Sequence, residues 1–157
     1  MKFFTQLFLA FLCSVSLLHA DELRERIGAV PNPRPTGGWV ADPSGLIQSR
    51  TAQINALISA QEAKDGTEIA VVVLPTIGKL VPKEFAVALF NTWKIGKADK
   101  DNGLLVLHIL DQRRVEIETG YGMEGTLPDV KCKWILDEIG VPFFKASSSR
   151  RNWTVSP

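Results

Sequence analysis

KDNGLLVLHILDQRRVEIETGYGMEG, residues 100–125, decides the fold. Residues 103–110 form an unbroken apolar run, which is the pattern of a buried strand. Residues 114–120 alternate in character, which is the pattern of a half-buried strand. Asp111, Gln112 and Arg113 form a short polar link between them and predict a hairpin. Antiparallel pairing puts the start of the first strand beside the end of the second. The Asp99–Asn102 loop is therefore expected next to the loop from Gly120 to Asp129. Two acidic, glycine-bearing loops meet at one edge of the sheet.

Outward from the hairpin, the rest of the domain follows from periodicity. EIAVVVL, residues 68–74, is nearly all apolar and β-branched and predicts a central strand. Before it, Ser49 is placed as the N-cap of a helix through Lys64, with Ile54, Leu57, Ile58 and Gln61 on one face. Asp65-Gly66 ends that helix. Pro82 opens a second helix, where Phe85, Leu89, Phe90 and Trp93 recur at helical spacing. Asp129 is expected to cap a third, from Val130 to about Ile139, closed by Gly140 and Pro142. The order helix, strand, helix, strand, strand, helix is α/β. It describes a short mixed sheet with a strand–helix–strand crossover and a β-hairpin, and helices packed on the sheet.

The chain divides into four parts. Residues 1–20 have a basic Lys2, an apolar stretch from Phe3 to Leu18 and a small Ala20, the pattern of a signal peptide. Residues 21–38 hold Pro31, Pro33, Pro35 and Gly37-Gly38 and read as an extended leader with little regular structure. Residues 39–145 are the α/β domain. Residues 146–157 are a polar tail, expected to be disordered. Export to the periplasm, a lumen or the extracellular space follows from the leader, with no membrane span left after cleavage. Of 157 residues, removing 20 leaves 137, enough for one domain with a core. Removal of residues 1–20 takes only Lys2 among the charges and leaves 17 basic against 17 acidic residues. That balance gives no reason to expect a nucleic-acid partner. Cys132 remains alone and reads as a small packed hydrophobe. Asn152-Trp153-Thr154 fits a glycosylation sequon.

The chemistry in these residues is one of oxygen ligands. Asp42, Asp99, Asp101, Asn102, Glu118, Glu124 and Asp129 supply carboxylates and an amide, and glycines let backbone carbonyls approach a cation. Such a set suits calcium, or magnesium, over zinc. The same residues also serve as turn formers and caps, and their spacing is not that of an EF-hand. No nucleophile–base pair is visible. His108, inside the apolar run, reads as a packed core residue.

The sequence resembles the TPM-domain family. The resemblance is carried by Val40–Ile47 (VADPSGLI), EIAVVVL, Glu84-Phe85-Ala86, Leu89-Phe90 and Trp93–Gly96. It continues through Asp101–Leu105, Arg113-Arg114-Val115, Thr119–Gly122, Glu124-Gly125 and Leu127-Pro128-Asp129. It covers about residues 39 to 144. The family implies an α/β fold outside the cytoplasm, often beside a membrane. It also implies calcium on the acidic loops, with Asp101, Asn102, Glu124, Asp129 and Asp42 as ligands. A membrane-associated protein partner in membrane-protein assembly or repair is implied too. The alternative is a weak metal-assisted acid phosphatase acting on phosphomonoesters. After Lys145 the family continues into a further helix where this chain reads ASSSRRNWTVSP.

Overall fold

A computed structural model describes residues 19–140. The readings made on residues 1–18 and 141–157, including the sequon and the polar tail, lie outside the described residues. Helix α1 covers residues 19–28. It is followed by a 3-10 turn at Arg34–Thr36 and a two-residue strand β1 at Val40–Ala41. Then come α2 (Gln48–Asp65), β2 (Glu68–Leu74), α3 (Pro82–Trp93) and the hairpin β3 (Gly103–Ile109) and β4 (Arg114–Thr119). A 3-10 turn at Tyr121–Met123 leads to α4 (Asp129–Trp134), which runs on as a π turn over Ile135–Gly140. Among the described residues no helix is long and apolar enough to cross a membrane.

The four strands form one sheet in the order β1-β2-β3-β4. β1 and β3 lie parallel to β2, and β4 runs antiparallel to β3, so the α/β reading with a mixed sheet, a β2–α3–β3 crossover and a hairpin holds. β3 alternates in burial: Leu105, Leu107 and Ile109 are fully enclosed, while Leu104, Val106 and His108 are half-covered. The enclosed side is the core. Val72 and Leu74 of β2 meet Phe85, Ala86 and Leu89 of α3 there, and Ile27 and Val30 join from the N-terminal segment.

Three details depart from expectation. The segment from Asp21 is not simply extended, because α1 crosses the Ala20–Asp21 junction and seats Leu23, Ile27 and Val30 against the core. Their spacing is i, i+4, i+7, one face of a helix. Ser49 is not the N-cap of α2, which starts one residue earlier after Ile47. The organising group is Asp42, whose carboxylate accepts the Leu46 and Ile47 amides at 2.9 and 2.7 Å. Leu57 stays 66% exposed because the covered stripe of α2 runs through Ile54, Ile58 and Gln61 and passes it by.

Candidate functional site

The hairpin brings the two loops together as its antiparallel pairing requires. Leu104 pairs with Thr119, and the Gly120 amide donates to the Gly103 carbonyl at 2.9 Å. One step further out, Asp101 takes a left-handed backbone (φ +47°) and its Oδ2 accepts the Tyr121 amide at 2.9 Å. The Asp101 carbonyl accepts the Gly122 amide at 3.0 Å. The approach is close enough to require glycine. A Cβ on Gly120 would lie 2.1 Å from the Asp101 carbonyl oxygen, and one on Gly122 would lie 1.9 Å from that of Lys100. The junction is thus a cradle of backbone oxygens with one carboxylate beside it.

The other nominated residues do different things. Asn102 is buried, and both ends of its amide are engaged. Its Oδ1 accepts the Lys97 amide at 3.1 Å and its Nδ2 donates to the Gly66 carbonyl at 2.9 Å. It staples the β3 entry to the end of α2. Glu124 is exposed and closes the 3-10 turn that Asp101 starts. Asp129 is the first residue of α4 and not its cap, a place held by Pro128. It is exposed and lies among Lys83, Glu118 and Cys132. Asp42 belongs to the opposite end of the strands. The parallel register sets it about seven positions along from Asp101, on the order of 20 Å. Among the described residues no three His, Cys, Asp or Glu side chains gather closely enough to hold a metal by themselves. At Asp101 one carboxylate oxygen and the backbone carbonyl already accept amide hydrogens, which leaves Oδ1 and the remaining lone pairs as the oxygen donors of the junction.

Charge pairing at β4 could not be read from spacing. Lys83 of α3 pairs with Glu118, and Arg114 with Glu116 at 2.9 Å. Burial works against the Lys83 ammonium, but the hydrogen bond and charge of Glu118 outweigh it and raise its pKa. Burial, with the charge of Asp129, pushes the Cys132 thiol up, so it is protonated and unreactive at neutral pH, as a packed cysteine should be. Burial holds the His108 imidazole below its ordinary value. Lys83, Arg114, Glu116, Asp129 and Cys132 line a cleft of about 390 Å³ between β4 and α4.

Comparison with known proteins places this arrangement. No curated protein was found to match the sequence. Among solved structures, the N-terminal domain of a protein from P. gingivalis, determined by solution NMR, is similar at 33% identity and a TM-score of 0.69. The match covers 77% of this chain and 79% of that one. The family model described as the TPM domain matches residues 40–150, well over half of the chain and inclusive of both edge strands and the Asp101 junction. The chain belongs to the TPM-domain family.

Proposed function

We propose that the protein is an exported interaction module of the cell envelope whose Asp101 junction binds calcium. The single observation behind this reading is the close meeting of the two loops: with glycine at 120 and 122 they pack tightly enough to gather the Asp101 carboxylate and the Lys100 and Asp101 carbonyls at one point. Asp101 would hold the cation, with Glu124 one 3-10 turn away and Asp129 at the start of α4 as the further acidic groups. The cation would supply charge neutralisation between two loops that carry several carboxylates. Asn102 and Asp42 act in this reading as structural anchors. The leader of residues 1–20 supports export, with a membrane-associated protein as partner. Sequencing the N-terminus of the exported protein checks it, with Asp21 expected and an intact Met1 contradicting it.

Calorimetric melting with calcium and with chelator tests the cation. Calcium at a hundredfold over its dissociation constant adds about 2.7 kcal/mol, on the order of 10 °C in a domain of this size. Asp101→Asn keeps an oxygen for the Tyr121 amide and loses the charge, so it should melt like wild type in chelator and lose the calcium increment. Equal melting of wild type in both buffers, at millimolar calcium, overturns the reading. The alternative, a metal-assisted phosphomonoesterase, draws on the same carboxylate. Turnover of a phosphomonoester that disappears in Asp101→Asn would select it.

A further inference from the structure

β4 is the last strand of the sheet among the described residues. The Gly120 amide donates to the Gly103 carbonyl, which fixes the phase of the ladder. That bond puts Gly103 opposite Gly120 at a hydrogen-bonded position, and by alternation the pairs Leu105 with Glu118, Leu107 with Glu116 and Ile109 with Arg114 are the hydrogen-bonded ones. Val115, Ile117 and Thr119 therefore turn their N–H and C=O groups away from β3. Among the described residues no strand lies on that side. An edge of this length is normally blunted, and unpaired backbone groups need a partner or water. Val115 and Ile117 line the cleft, whose far wall is α4 with Cys132 and Lys133 and the turn after it with Leu136. Strand addition to an exposed sheet edge is one way in which extended peptides are captured.

Charge gives the groove a direction. Arg114 pairs with Glu116, Lys83 with Glu118 and Lys133 with Asp137. Arg113 and Asp129 also line the cleft and take no ion pair among the described residues. Arg113 stands at the start of β4. Asp129 stands near its end, close to Lys83, the partner of Glu118. A strand running antiparallel to β4 brings its C-terminal end to Arg113 and its N-terminal end to Asp129. A second copy of this chain is a poor occupant. Its own β4 already carries α3 over the side bearing the buried Glu116 and the Lys83–Glu118 pair, and would bring that helix against the first copy's α4.

We propose that the cleft between β4 and α4 docks a lone extended segment of another protein. The segment adds antiparallel to β4 as a fifth strand, basic at its N-terminal end and acidic at its C-terminal end. The cleft shares Asp129 with the proposed calcium junction, so the two readings are tested apart at residues that belong to one site only, Arg113 for the peptide and Asp101 for calcium.

The test is an NMR titration of the ¹⁵N-labelled protein with two synthetic hexapeptides, Lys-Thr-Val-Thr-Val-Asp and its charge-reversed counterpart Asp-Thr-Val-Thr-Val-Lys. The first should shift the Val115 and Ile117 amides and bind at least tenfold more tightly than the second. Methylating alternate backbone nitrogens of the first should abolish binding. Arg113→Glu, an exposed turn substitution, should invert the preference between the two. Unmoved Val115 and Ile117 amides at millimolar peptide, or equal binding of both peptides, overturns the proposal. So does protection of those amides before any peptide is added, which would mean that the chain's own tail or a second copy already fills the groove.

Discussion

The two edges of the sheet are finished in opposite ways. At the first, the chain closes the edge itself. β1 is only two residues long, and the segment before it is clamped by a polar network. Arg34 donates to both oxygens of Glu62 at 3.2 and 3.0 Å and to Glu68 at 3.2 Å, and its guanidinium lies 5.2 Å from the centre of the Trp39 ring. The Trp39 indole donates to Glu62 at 3.0 Å, and its backbone amide is met by Asn55. The hydrogen bond to Glu62, working against burial, raises the Arg34 pKa further above its already high ordinary value. At the second edge, β4 is six residues long, its outward backbone groups meet a cleft, and Arg113 and Asp129 are left over. One edge is consumed in holding the fold. The other has spare hydrogen-bonding capacity and spare charge, which is what a binding surface needs.

The largest expected effect concerns β3, one of the two central strands between the edges. Leu107→Ala removes a fully buried side chain from the centre of β3 and should cost about 3 kcal/mol. Amide protection should fall at both edges together, and unequal loss would show that they unfold separately. Next is the clamp. Glu62→Ala strips Arg34 and the Trp39 indole of a shared partner and should cost about 2 kcal/mol, with protection falling on the β1 side. A loss of stability no greater than that of Arg113→Glu would mean that the two edges are not different in kind.

The smallest effect separates pH from either edge. His108 sits on β3 and its burial lowers the pKa below the ordinary 6.5. The unfolded chain therefore binds a proton that the folded chain resists. This contribution to stability is complete above about pH 6.5 and is lost as pH falls below it toward the folded pKa. Thermal melting from pH 7.5 to 5 should show a decline that His108→Gln flattens, with β1-side and β4-side amides affected alike.

Legibility followed the range of the interaction. The hairpin and the meeting of the Asp101 loop with the glycine loop were readable because they depend on neighbours in sequence. The helix over residues 19–28 was signalled by Leu23, Ile27 and Val30, but Pro31, Pro33 and Pro35 just beyond dominated the reading of that segment. Asn102 looked like a ligand because an amide that staples two loops and one that binds a cation have the same sequence context. The Arg34–Glu62 clamp and the Lys83–Glu118 pair span 28 and 35 residues, and no local pattern announces either. The groove could not be read at all, since it lies between a strand edge and a helix whose relative placement is set by tertiary packing.

The most direct test of the difference between the edges is residue-resolved hydrogen exchange on the free protein. The Val71 amide, which donates to the Trp39 carbonyl at 2.9 Å, reports the closed edge. Glu116 and Glu118 report the inner side of β4, and Val115 and Ile117 its outer side. The expected result is slow exchange at Val71, Glu116 and Glu118 and fast exchange at Val115 and Ile117, alternating residue by residue along one strand. Protection of Val115 and Ile117 equal to that of Glu116 would contradict an open β4 edge.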